Sequence, residues 1–365
     1  MKLSISGSAA AICLIAIGLD AYMAMAADAP DRVRTIRVPG GGQAVAARVD
    51  AKGMIHLLFD SSGGPQYARS TDGGRSFSKA LPVVDEGARQ PGLEFHVWDM
   101  AVGQGRVHVA LGTNAWKLKL PKEEWGCYYA SLERDAKAFS PLRNINRHPS
   151  EGFSLAADEQ GKVTACWLSG KLHANLSSDG GRTFGESVEI DPACDPCDCC
   201  TTSCTYAADG TLAVLYREET DNSRDMYLLL WDQVKGRTSR TRVSSTLWKI
   251  DSCPMTYYAV TRCGAGFAAA WPTENRIYLA RLDAAGSLLS PAEIKTPGIS
   301  TMRSGIVALS AQDGSTLVAW KKDDRLGWQL YDAKGLPVGM AGSAESRGKG
   351  AAGVVTADGE FILFR

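Results

Sequence analysis

The chain is 365 residues long, carries 40 basic and 40 acidic side chains, and has a formal net charge of zero. That balance argues against a nucleic-acid binder, which would want a basic stripe for a phosphate backbone. No Pro/Gly/Ser-rich linker or charge run divides it, and no helix-period segment follows the N-terminal stretch, so one domain over residues 27–365 is expected.

Residues 1–26 read as a signal peptide. Lys2 gives a basic start, residues 8–19 are mostly apolar, and Ala24-Met25-Ala26 forms a small-residue cleavage site. Asp20 interrupts the apolar run short of the ~20 residues that a membrane span requires. The expectation is export, periplasmic or secreted, with no membrane span after cleavage. Cys13 leaves with the peptide, so nine of the ten cysteines would meet an oxidising compartment.

From there a two-strand unit repeats: an apolar strand, a polar turn with glycine, a second apolar strand. It occupies residues 44–59, 100–111, 154–168, 205–216, 257–271, 306–320 and 353–364. Outer strands follow most units, at 66–69, 127–132, 172–176, 226–231 and 277–282. Runs of Val, Ala, Leu and Tyr with alternation favour strands, and a spacing of about 40–55 residues is the length of a propeller blade. The last unit lacks outer strands. The N-terminal strand 35–38 can complete it, closing the ring and removing an open sheet edge.

Two octets in this series share the pattern S-x-D-x-G-x-[ST]-F: Ser70-Thr71-Asp72-Gly73-Gly74-Arg75-Ser76-Phe77 and Ser177-Ser178-Asp179-Gly180-Gly181-Arg182-Thr183-Phe184. Each should form a tight turn, with Asp folded onto following amides, Gly at positive φ, Ser capping and the aromatic plugged beneath. They resemble the Asp box, or BNR repeat, of sialidases and related propellers. The resemblance implies an all-β, six-bladed sialidase-like β-propeller, although literal counting of units permits seven. It also places the octets on the face opposite the funnel mouth, so Ser70, Asp72, Gly74, Phe77, Ser177, Asp179, Gly181 and Phe184 are expected to be structural. Candidates for chemistry then fall at the mouth: Gln43, Asp60, Trp98, Asp99, the loop 194–204, Arg217, Arg224, Asp225, Pro254, Met255 and Arg303.

A sialidase grips its substrate carboxylate with a cluster of arginines. Ile36-Arg37-Val38-Pro39 is similar to the segment that delivers the first of them. Asp209-Gly210-Thr211-Leu212, running into Tyr216-Arg217, is similar to the segment that delivers the second, and Arg303 is available as a third. The chain also departs from that family. A cysteine-rich loop stands upstream of Arg217 where the family has its Glu, and the last tyrosine, Tyr331, falls on an outer strand.

That loop reads Cys194-Asp195-Pro196-Cys197-Asp198-Cys199-Cys200-Thr201-Thr202-Ser203-Cys204. With Arg217, Arg224-Asp225-Met226-Tyr227 and Cys253-Pro254-Met255 following in order, most of the chain resembles a bacterial group of exported BNR-repeat proteins labelled sialidase-like. Three chemistries suit the cysteines. The first is disulfides among Cys194, Cys197, Cys199, Cys200, Cys204 and Cys253, with at least one bridge from the loop to Cys253. The second is a soft-metal site for Cu(I) or Zn built from Cys197, Cys199, Cys200, Cys253 and Met255. The third is a redox-active vicinal pair, Cys199-Cys200. Cys166, on an apolar strand, suits a buried spare thiol.

His56 and His108 lie inside second strands as packing residues, whereas His96, His148 and His173 show no spacing signature. Trp98, Trp116, Trp125, Tyr257 and Tyr258 can form an aromatic sugar platform or pack between blades. The leading expectation is recognition of a carbohydrate or other small anionic ligand by Trp98, Asp99, Arg217, Arg224, Asp225 and Arg303, with no cofactor. Two alternatives stand beside it. One is an exo-α-sialidase using Arg37, Asp60, Arg217 and Arg303. The other is a soft-metal or thiol-redox protein of the cell envelope.

Overall fold

The computed structural model describes residues 32–365 except 86, 88 and 89. The expected signal peptide, 1–26, lies outside the described residues. The chain forms a β-propeller with seven blades among the described residues. Six blades are four-stranded and antiparallel, in simple up-and-down order. Their innermost strands are Gln43–Val49, Phe95–Gly103, Glu151–Ala157, Ser203–Tyr206, Ala259–Cys263 and Ile306–Ser310. The seventh blade is assembled from both chain ends: Ala352–Val355 innermost, Phe361–Phe364 next, and Val33–Ile36 paired parallel to the latter. Seven blades stand where the resemblance implied six, as the literal count of units permitted. The terminal hairpin counts as a full blade because the N-terminal strand supplies its third member.

The physical logic of each blade lies in its second strand. Neighbouring blades cover both of its faces, so it carries an unbroken apolar run in place of alternation. Gly266–Thr273, reading Gly-Phe-Ala-Ala-Ala-Trp-Pro-Thr, is buried at every position. Full burial of each Leu, Ile or Phe in such strands contributes about 1.5–3 kcal/mol. Innermost strands pack on those of both neighbouring blades, and Ala352–Val355 meets Gln43–Val49 to close the ring. Arg34 clamps that closure, donating to Glu360 at 2.6 and 2.8 Å and to the carbonyl of Gly73 at 2.8 Å.

Both octets link third and fourth strands and adopt the same geometry. Ser70 Oγ donates to Asp72 Oδ1 at 2.7 Å and accepts from the Gly74 amide at 2.8 Å, while the Ser76 amide and hydroxyl reach the Asp72 carboxylate at 2.9 and 2.6 Å. Ser177, Asp179, Gly181 and Thr183 repeat these bonds at 2.7, 2.9, 2.9 and 2.6 Å. The aromatic of each octet packs on the preceding blade, Phe77 edge-on to Phe364 and Phe184 edge-on to Tyr129. A second repeated device sits nearby. His56 bonds Tyr67 at 2.7 Å and His108 bonds Tyr129 at 2.6 Å, each pair buried within a blade.

Hydrogen bonds from Thr183, and then from Ser177, hold the Asp179 carboxyl well below its ordinary value. A depressed carboxylate pKa contributes stability that is full above the unfolded value of about 4 and is lost as pH falls through the folded one. Asp179→Ala is therefore expected to lower the melting temperature by a few degrees near neutrality, like loss of a cap, and by progressively less below about pH 4. Thermal melts across that range check it. Ligand binding should be unchanged, and a selective loss of binding would overturn the face assignment.

Candidate functional site

The seven innermost strands line a central channel of about 450 Å³. At its mouth end three of these strands carry bulges, between Ala44 and Ala46, Val97 and Asp99, and Glu151 and Ser154. A bulge re-aims side chains that would otherwise alternate, and here aromatic groups converge. Trp98 lies edge-on to Phe153 and Tyr257, with ring centroids 5.8 and 6.3 Å apart, and His96 tilts against it at 5.5 Å. Gly152 makes the third bulge possible. Its φ is +70°, and a Cβ there would stand 2.6 Å from the Cys200 carbonyl oxygen, so the loop before the fourth blade can lie directly against it.

Arg303 completes the patch. Its amide donates to the Met255 carbonyl at 2.9 Å, while its side chain has no hydrogen bond or ion pair among the described residues. It acts electrostatically on His96, Glu151 and Tyr257 alike. Burial, then the charges of Arg303 and Lys117, lower the His96 pKa from its ordinary value. Burial raises the Glu151 carboxyl, and Arg303 only partly opposes it. The mouth thus presents aromatic faces, the cations Arg303 and Lys117, neither in an ion pair among the described residues, an imidazole with a lowered pKa and a carboxyl with a raised one. Trp116, Leu247 and Met302 stand on surrounding loops, 59, 73 and 59 % exposed.

The other predicted residues divide by place. Arg217 leaves the ligand-binding set because it is fully buried: it donates to the carbonyls of Arg224 at 2.7 Å and Pro272 at 2.6 Å, and to Thr256 at 3.3 Å. Arg224 is buried and pairs with Glu219 at 3.1 Å. Asp225 is taken by Arg242 at 2.8 Å. Asp99 lies in the channel but joins three blades, bonding Arg48 at 2.7 Å and the Leu155 amide at 2.9 Å. Arg37 is exposed just beyond the third strand of the seventh blade, two strands out from the axis. Asp60 ends a second strand opposite Gln43, one strand out from the channel, with its carboxyl raised by burial. Arg37, Arg217 and Arg303 therefore do not converge on one ligand carboxylate. Tight packing between the fourth and fifth blades claims the middle one.

The cysteine loop forms a strip along the end of strand Leu212–Arg217, through Cys197 N to Arg217 O at 2.9 Å and Glu219 N to Asp195 O at 2.7 Å. Cys199 and Cys253 are joined. The Cys197 sulfur lies 3.9 Å from that of Cys199, 3.8 Å from Cys253 and 3.6 Å from Cys200. Cys194 points elsewhere, bonding the Tyr216 hydroxyl at 3.1 Å, and Cys204 meets Ser154 at 3.3 Å beside Cys166. Met255 approaches the cluster through its backbone, its amide 3.3 Å from the Cys253 sulfur.

Glu151 went unnoticed in the sequence and His96 was given little weight. The available signal was position: both lie at the mouth-side start of an innermost strand, in strands that the bulges later turn. A bulge leaves no mark in the hydrophobic pattern that single-sequence inspection can use.

No family model matches the chain, and no curated protein matches it. Among solved structures it is similar to a polysaccharide lyase of a family PL25, an ulvan lyase bound to -[GlcA(1-4)Rha3S]-, at 11 % identity over 86 % of each chain with a TM-score of 0.53. It is also similar to a protein of unknown function from Dyadobacter fermentans DSM 18053, at 12 % identity over 87 % of this chain and 98 % of that one, TM-score 0.51. The Dos1 propeller matches at 11 % identity over 88 % of this chain and 78 % of that one, TM-score 0.52. At these identities the likeness is one of fold, and the fold is a β-propeller.

Proposed function

We propose that the protein is an exported sialidase-like propeller of the Asp-box type that recognises an anionic carbohydrate at its mouth. The observation that carries the reading is Arg303, free of ion pairs among the described residues and held by its amide to Met255, two residues before Tyr257, which packs edge-on to Trp98. Aromatic faces stack on sugar rings, and a guanidinium is suited to bidentate capture of a carboxylate or sulfate. The ulvan lyase that shares the fold holds a glycan containing glucuronic acid and a sulfated rhamnose, which is ligand chemistry of that type.

The sialidase reading is weaker because its arginines are dispersed. Glu151, at the mouth-side start of an innermost strand, is the acid that a catalytic role for the patch would use. Glycan-array binding followed by calorimetry tests the proposal. The expected result is binding of uronate- or sulfate-bearing oligosaccharides, with no release of N-acetylneuraminic acid from a fluorogenic sialoside. Neutral and anionic glycans bound equally, or none bound, would refute it. Sialoside turnover abolished by Glu151→Gln would restore the enzyme.

A further inference from the structure

The cysteine cluster lies behind the mouth patch and is joined to it through Met255, whose amide reaches the Cys253 sulfur and whose carbonyl accepts from the Arg303 amide. Cys197, Cys199 and Cys253 bring their sulfurs within 4.8 Å of one another, and Cys200 lies 3.6 Å beyond Cys197. With metal–sulfur bonds of ~2.3 Å, a tetrahedral thiolate site has sulfur–sulfur edges of about 3.8 Å. The three separations measured from Cys197, 3.6, 3.8 and 3.9 Å, match that edge. Cys199 and Cys253, now bonded to each other, must part, and Cys200, outside the group within 4.8 Å, must approach them to complete the other three. Cys197 and Cys200 are buried in the core between the fourth and fifth blades with Met226, Tyr258 and Trp271, and Cys199 and Cys253 pack half-buried at its edge, open to an incoming ion.

A second observation points the same way. The Arg217 guanidinium is fully buried, yet its partners are two carbonyls and a hydroxyl, all neutral, and its Nε has none. The ionisable groups facing it are Cys200, Tyr258 and Cys197. A buried cation without an anion is costly. Arg224 adds a second buried guanidinium beside Cys197, sharing its charge with Glu219. A cation bound by four thiolates carries excess negative charge, and these two arginines offset it.

We propose that the reduced cluster binds one soft d10 cation, Zn(II) or Cu(I), through the thiolates of Cys197, Cys199 and Cys253, with Cys200 as the fourth ligand. The joined Cys199–Cys253 pair is the oxidised, metal-free form of the same site. Opening it takes two electrons and two protons from a dithiol, which itself becomes a disulfide, and leaves two thiols. Each ligand then gives its proton to solvent as its sulfur–metal bond forms, with no further electron transfer. The Met255 amide donates to the Cys253 sulfur and orients it, an outer contact of the sort that tunes thiolate ligands.

The test uses the purified chain, reduced anaerobically with a water-soluble phosphine that is then removed, and titrated separately with Co(II), Zn(II) and Cu(I). One ion per chain is expected, with a sulfur-to-cobalt charge-transfer band that Zn(II) or Cu(I) abolishes and with proton release on binding. Binding by Zn(II) alone or by Cu(I) alone supports the site and identifies its cation. Cys197→Ser and Cys253→Ser should lose stoichiometric binding, and Cys263→Ser should keep it. A measurement on the unaltered protein guards against variants that fail to fold. Bound metal should protect Cys199 and Cys253, half-buried and open to reagent once reduced, from alkylation while Cys263 still labels. Failure of the reduced chain to take up any of these ions stoichiometrically, or uptake without that protection, would overturn the proposal.

Discussion

Arg217→Ala is expected to destabilise the protein by about 3–5 kcal/mol, far more than a surface arginine would cost. The side chain ties the end of one second strand to the following loop of its own blade, through the Arg224 carbonyl 2.7 Å away, and to the next blade, through the Pro272 carbonyl 2.6 Å away. Its ring-facing side covers Trp248, with the guanidinium carbon 5.0 Å from the centroid. Truncation leaves two buried carbonyls unpaired, at about 1–3 kcal/mol each, and opens a cavity besides. Relief of the guanidinium's own desolvation works against this loss, and burial already lowers its pKa. That relief is available to any uncharged replacement, so Arg217→Met, which refills the space, should cost less than Arg217→Ala. Urea denaturation of the two variants measures both the loss and the ordering. Arg217→Ala with wild-type stability but absent ligand binding would return this residue to the mouth.

Arg303→Ala should do the reverse, leaving the melting temperature unchanged while weakening an anionic glycan by about 10–150-fold. That range corresponds to one charge-assisted hydrogen-bond contact of about 1.5–3 kcal/mol. Because the contact is ionic and exposed, the wild-type affinity should fall as salt rises, and that of Arg303→Ala should fall less steeply, Lys117 remaining near the patch. Trp98→Ala should weaken binding while retaining the salt dependence. The pH dependence has a definite sign. His96, its pKa lowered, is neutral near pH 7 and gains charge only in acid, and Glu151, its pKa raised, loses charge as acid is added. Both changes make the patch more positive, so affinity for an anion should rise between pH 7 and 5. Calorimetry at two salt concentrations and two pH values checks all three statements.

The fold was legible because its determinants are local and repeated. Apolar second strands, glycine turns and the two Asp-containing octets each act within about a dozen residues, and each recurs. Even the closure by the N-terminal strand could be anticipated, since an unpaired sheet edge needs a partner. The candidate site was less legible. Trp98 and Arg303 were identifiable by position at strand starts and blade connections. Arg217 and Arg303 look equivalent in the sequence, as cations at the mouth-side end of a unit, and their fates differ entirely.

What the sequence determined by itself was the order of the strand units, the octet turns and the spacing that brings Cys253 one blade beyond the cysteine loop, with the blade number left between six and seven. The tertiary structure decided which side chains meet solvent. Blade packing folds the 194–204 loop over Arg217 and buries it, whereas positive backbone φ at Met255 and Arg303 and a hydrogen bond between them hold Arg303 at the open mouth. The physical reason is that strand formation depends on neighbours in the chain. Exposure at a propeller mouth depends on loops from different blades, whose contacts span some fifty residues and leave no periodic trace.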